Sequence, residues 1–141
     1  EHTISLFPET FIYPDSIKLN MNDCPDIAQT VCVTATALKV PFELTGLATL
    51  KVKETDRLLA LQNELKKIGC ETEISDDAIK SVNFTDPDEN IVIKTYHDHR
   101  MAMSFAPFSL IQNIEIEDET VVEKSYPKFW EDFNYVTEPI N

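Results

Sequence analysis

The stretch Lys53-Glu54-Thr55-Asp56-Arg57-Leu58-Leu59-Ala60-Leu61-Gln62-Asn63-Glu64-Leu65-Lys66-Lys67-Ile68-Gly69, running on into Cys70-Glu71-Thr72-Glu73-Ile74, decides the architecture. Leu58, Leu61, Leu65 and Ile68 recur at helical spacing, and Gly69 stands where a helix should stop. Glu64, Lys66 and Lys67 are expected to face outward. Immediately afterwards the pattern changes to that of a hairpin, Cys70 to Ile74 and Ala78 to Phe84, turning across Ser75-Asp76-Asp77. A helix feeding a strand pair is the signature of a layered α/β fold.

The pattern extends in both directions. Thr3 to Leu19 reads as two short strands around Pro8. Asp23-Cys24-Pro25-Asp26 reads as a helix start: a polar cap, proline near the first helical position, then an acid in the first turn. The helix that follows is expected to place Ile27, Val31, Ala35 and Leu38 on one face, and its threonines and alanines imply close packing. Phe42 to Leu44 forms a strand closed by Thr45-Gly46, and Leu50 to Val52 leads into the next helix. Downstream, Thr85 to Asn90 is a loop and Ile91 to Thr95 a strand. Asp98 caps a helix carrying Met101, Phe105 and Phe108, which Pro107 should kink or shorten. Ile114 to Ile116 and Thr120 to Glu123 read as strands, and Pro127 to Phe133 as a terminal helix in which Trp130 is core.

The chain has 141 residues, enough for one domain with a real core, with 43% hydrophobic and 26% charged residues. A net charge of −13 argues against nucleic acid and anionic membranes as partners. No apolar run approaches the length of a membrane span and no signal peptide is visible. The three cysteines, Cys24, Cys32 and Cys70, have no metal-like spacing and read as reduced thiols of a cytoplasmic protein. The chain opens at Glu1 without a methionine, which suggests a piece of something longer.

Chemistry concentrates at two helix starts. Lys53-Glu54-Thr55-Asp56-Arg57 and Asp98-His99-Arg100-Met101-Ala102-Met103 each put a cation at or near a first helical turn. The helix dipole favours negative charge there, and free N–H groups already attract an anion, so an added cation reads as a second clamp on phosphate or carboxylate. Each residue also has a plainer reading. Lys53 suits a solvated lysine, Arg57 a partner for Glu54, and Asp26 a dipole-stabilising acid. Lys124, before Ser125-Tyr126-Pro127, is by itself a surface lysine. His97-Asp98-His99 lacks an obvious third ligand, so no metal is expected, and Met101 and Met103 read as core filling. No glycine-rich phosphate loop and no nucleophile elbow occur.

Taken in order, Pro25-Asp26 with its Thr/Ala-rich helix, Lys53-Glu54-Thr55-Asp56-Arg57-Leu58, Thr95-Tyr96 with Asp98-His99-Arg100-Met101-Ala102-Met103, and Lys124-Ser125-Tyr126-Pro127 resemble the C-terminal part of the 3-phosphoshikimate 1-carboxyvinyltransferase (EPSP synthase) family. The resemblance runs from Asp23 onward, and in texture it is to Bacteroidetes-type members. It implies an inside-out α/β barrel fold built from βαβαββ units, of which residues 1–141 would form a single partial domain. It also implies transfer of the enolpyruvyl group of phosphoenolpyruvate to the 5-hydroxyl of shikimate 3-phosphate with release of phosphate, on the route to chorismate, and with no cofactor.

The resemblance implies roles residue by residue. Asp26 matches the acid that accepts the hydroxyl proton, and Glu54 the acid that moves a proton at the phosphoenolpyruvate methylene. Lys53 matches a shikimate 3-phosphate contact, and Arg57, Arg100 and Lys124 match the cations on phosphoenolpyruvate. Where some members carry a substrate-binding asparagine, this chain has Thr49. The family's N-terminal lysine-serine site, glycine-rich loop and serine-glutamine motif have no counterpart, so an N-terminal domain of the same enzyme is the implied partner. Two alternatives stay open: an enolpyruvyl transferase acting on UDP-N-acetylglucosamine, and a non-catalytic anion-binding module.

Overall fold

The structure, a computed structural model, describes residues 12–53 and 55–137. Strand β1 (Ile17–Asn20) is followed by a 3-10 turn (Pro25–Ile27) that runs into helix α1 (Ala28–Ala37) and then strand β2 (Phe42–Thr45). A second 3-10 turn (Ala48–Val52) leads to helix α2 (Arg57–Lys67) and the hairpin of β3 (Cys70–Ile74) and β4 (Ile79–Phe84). These elements make one complete βαβαββ unit. Its sheet has the order β1-β2-β4-β3, with β1 parallel to β2 and the β2–β4 and β3–β4 pairs antiparallel. The parallel β1–β2 pair follows from the crossover through α1, since parallel neighbours cannot be joined by a tight turn.

A second round begins with β5 (Ile91–Ile93), α3 (His99–Phe105) and β6 (Ile114–Ile116), with β5 and β6 again parallel across their helix. Helix α4 (Phe129–Thr137) follows. Of the Thr3–Leu19 reading, only the last residues are strand, as β1; the second strand, read around Ile12 and Tyr13, is not there, since residues 12–16 are irregular. Its first strand lies outside the described residues.

The α2 pattern folds as its leucines dictate. Leu58, Leu61 and Leu65 are fully buried, Asp56 accepts the Leu59 N–H as N-cap at 3.1 Å, and Gly69 takes φ +84° just past the helix. Leu44, Leu47, Leu50, Ile79, Ile93, Met101 and Phe105 complete the core between the helices and the strands. Pro107 ends α3 at Phe105, and the chain continues as a 3-10 turn, Ala106–Leu110.

Four expectations are corrected. Glu64 is fully buried, because three donors reach its carboxylate. Helix α1 is wedged between α2 and α3, so Ala28, Gln29, Cys32, Val33, Ala35 and Thr36 are buried while Ile27 and Leu38 are exposed. An Ala/Thr helix with neighbours on both sides has no single apolar stripe to read. Thr120 to Glu123 is not a strand but part of a 3-10 turn (Glu119–Val122), fixed by Asp118, whose Oδ1 accepts both the N–H and the hydroxyl of Thr120. Trp130 is only half-buried, its indole N–H donating to the Glu119 carbonyl at 2.9 Å, and α4 has no buried residue.

Cys24 is exposed, Cys32 and Cys70 are buried, and all three are free thiols. Burial pushes the Cys32 and Cys70 thiols up. Among the described residues no helix is long and apolar enough to cross a membrane.

Candidate active site

The starts of α1, α2 and α3 meet. Each is built locally. Pro25 opens the turn into α1 and sets Asp26 in it; Asp56 caps α2 and leaves Arg57 as its first residue; Asp98 caps α3, accepting the Arg100 N–H at 2.9 Å. The bonds that join them run through side chains. Arg57, 2% exposed, donates through Nε and Nη2 to the two oxygens of Asp98, which is fully buried. Its Nη1 donates to Asp26 Oδ1 at 3.0 Å. Arg100 reaches the same acid from α3, with Nη1 on the Asp26 carbonyl at 3.0 Å and Nη2 on Oδ2 at 3.3 Å. Lys53 Nζ stands 3.6 Å from Asp26 Oδ1.

Asp26 and Asp98 occupy equivalent places, each at the start of the helix that crosses over between two parallel strands. Arg57 bridges them. The two-pronged pairing with Asp98 uses the planar fork of the guanidinium, and a half-paired Arg57 would be a buried uncompensated charge. Three cations against two carboxylates leave the described cluster with one surplus positive charge, within a chain of net charge −13. A local surplus of positive charge beside helix N–H groups is what an acidic protein would need to hold an anion.

The cluster opens on a cleft of about 260 Å³ lined by Asp26, Ile27, Thr30, His99, Arg100, Met103, Ser104, Ser125 and Tyr126. The Thr30 and Ser104 hydroxyls share a hydrogen bond of 3.2 Å beneath it. Asp26, Lys53 and Arg100 keep about a third of their side-chain surface in solvent, whereas Arg57 is buried and meets the cleft through Asp26.

Four of the six expected site residues, Asp26, Lys53, Arg57 and Arg100, are thus brought together. Lys124 is exposed and makes no ion pair among the described residues, but it directly precedes Ser125 on the cleft wall. Glu54 lies outside the described residues. Thr49 is exposed on the 3-10 turn before Lys53. Among the described residues no group of three histidine, cysteine or acidic side chains could hold a metal.

Two participants escaped the sequence reading. Asp98 was legible as a cap but not as the anchor of Arg57, because its partner lies forty-one positions away. The inward turn of Glu64 had a signal: it follows Arg57 by two helical turns and shares its face.

Fold and site together define an α/β domain that gathers cations around one carboxylate at converging helix starts. Residues 3–133 match the family described as EPSP synthase (3-phosphoshikimate 1-carboxyvinyltransferase), and the chain belongs to that family. It is similar to the 3-phosphoshikimate 1-carboxyvinyltransferase of Bacteroides fragilis, 49% identical over 113 residues, or 78% of this chain and 28% of that protein. The Methanospirillum hungatei enzyme of the same name is 41% identical over 85% of this chain and 28% of its own length. That of Neisseria gonorrhoeae is 37% identical over 87% of this chain and 29% of its own. The chain therefore spans somewhat over a quarter of these relatives.

Proposed function

We propose that this chain supplies the phosphoenolpyruvate-gripping wall of an enzyme that transfers an enolpyruvyl group to the 5-hydroxyl of shikimate 3-phosphate, with release of phosphate. One observation carries the reading: a single carboxylate, Asp26, at the start of α1 beside a cleft, bracketed by Lys53 and Arg57 from the start of α2 and by Arg100 from the start of α3.

The chemistry calls for that arrangement. The hydroxyl adds to C2 of phosphoenolpyruvate while C3 gains a proton, giving a tetrahedral ketal phosphate. Phosphate then leaves, and loss of a proton from C3 restores the double bond. Asp26 takes the hydroxyl proton, and Glu54 delivers and retrieves the proton at C3. Arg100, Lys124 and, once Asp26 turns to the hydroxyl, Arg57 hold the carboxylate and the departing phosphate. Fixed cations stabilise charge as it develops without having to reorganise. Lys53 contacts the phosphate of shikimate 3-phosphate. The rest of the family's length supplies the opposing wall, and the proposed setting is the cytoplasm.

Phosphate release by the full-length enzyme tests this. It should require shikimate 3-phosphate together with phosphoenolpyruvate. Release that depends instead on UDP-N-acetylglucosamine would assign the sister reaction. Binding of phosphoenolpyruvate with no release under either condition would leave an anion-binding module.

A further inference from the structure

Between β5 and α3 the chain makes a turn that ordinary residues avoid. Tyr96 and His97 both lie in the left-handed region, at φ +54° and +58°, and the Asp98 N–H closes the turn on the Thr95 carbonyl at 2.9 Å. Two successive positive φ values without glycine are costly and persist only where the surroundings impose them. This turn aims Asp98 at Arg57.

The surroundings that impose it belong to α2. Glu64 accepts the Tyr96 hydroxyl at 2.8 Å, the Lys94 N–H at 3.0 Å and Lys67 Nζ at 2.6 Å. Lys67 also donates to the Val92 carbonyl at 2.8 Å. One face of α2 therefore grips the segment after β5 at both ends: Glu64 before the turn and Arg57 after it. The buried carboxylate is compensated on all sides, and nothing in the proposed chemistry uses it.

We propose that Glu64 and Tyr96 are a positioning pair that holds the left-handed turn at Tyr96 and His97, and through it sets Asp98 against Arg57 and Arg100 over the anion. The pair touches no reacting atom and acts through Asp98. The inference rests on the enolpyruvyl-transfer reading for its kinetic readout but has a second readout independent of it.

The experiment uses Tyr96→Phe in the full-length enzyme. The variant removes one hydroxyl and leaves Glu64 two other donors, so the fold is retained. The KM for phosphoenolpyruvate should rise about fivefold, the weight of one hydrogen bond, while that for shikimate 3-phosphate stays within about twofold. Exchange of the Arg57 Nε–H with solvent, followed by NMR, should quicken in parallel. Adding His97→Gly, at an exposed side chain, makes the left-handed backbone easy and should move both readouts back toward the parent. A fall in melting temperature with the KM split and the exchange unchanged would reduce the pair to a structural brace and overturn the proposal, as would failure of glycine to rescue. A parent enzyme without turnover would defeat the enolpyruvyl-transfer reading instead, and the exchange measurement would still decide this one.

Discussion

Asp26 answers to three cations while also being the proposed base. Its carboxylate sits where a substrate anion would gather the same positive charges, so binding must turn it from Arg57 and Arg100 toward the acceptor hydroxyl. Replacing it with asparagine should lower kcat of the full-length enzyme by about 10²- to 10⁴-fold, the usual worth of a positioned general base. Glu54→Gln should do the same at the methylene carbon. Near-normal turnover in either variant, measured by phosphate release, would leave that acid only a helix-start role. Tyr96 gives a different readout. Burial, and then its bond to Glu64, push the phenol up to about 12 from an ordinary 10. The folded chain keeps this proton where the unfolded chain has lost it. The contribution is complete below pH 10 and disappears as pH rises through about 12. Urea midpoints should therefore fall across that interval, and Tyr96→Phe should flatten the fall.

Helix α2 joins core and site, burying three leucines while offering Arg57 at its first position and Glu64 two turns on. Its span, its aspartate cap and its glycine stop were legible because each is decided by residues within a turn of it. The hairpin after it was legible for the same reason. The inward Glu64 and the buried girth of α1 were not, since each depends on partners or neighbours distant in sequence, and the 3-10 turn at Glu119–Val122 was misread as a strand although Asp118, two residues from Thr120, fixes it locally. The cations at the helix starts could be read from their misfit to the helix dipole, but their convergence on Asp26 is a property of the fold. Gly69 marks the far end of α2, where φ is +84° and a Cβ would lie 2.5 Å from the Thr85 carbonyl oxygen. Gly69→Ala should destabilise the protein by about 1–3 kcal/mol, seen as a lowered melting temperature. An unchanged melting temperature would mean that the α2–β3 junction relaxes freely.

One complete βαβαββ unit and the start of another bring three helix starts together at Asp26, beside one cleft, and the chain matches only 28% of the Bacteroides fragilis relative's length. The cleft is open: Arg100, Lys53 and Asp26 each keep about a third of their side chains in water, where screening weakens every contact to an anion. Enolpyruvyl transfer needs water excluded and two substrates fixed against each other, which takes an opposing wall. The chain alone should therefore bind phosphoenolpyruvate weakly and turn nothing over, and adding the remainder of the enzyme as a separate polypeptide should restore some release. The deciding measurement is phosphate release from phosphoenolpyruvate plus shikimate 3-phosphate, by residues 1–141 alone and by the full-length enzyme. None is expected from the first and acceptor-dependent turnover from the second. Robust turnover by residues 1–141, or none from the full-length enzyme with both substrates present, would contradict that expectation.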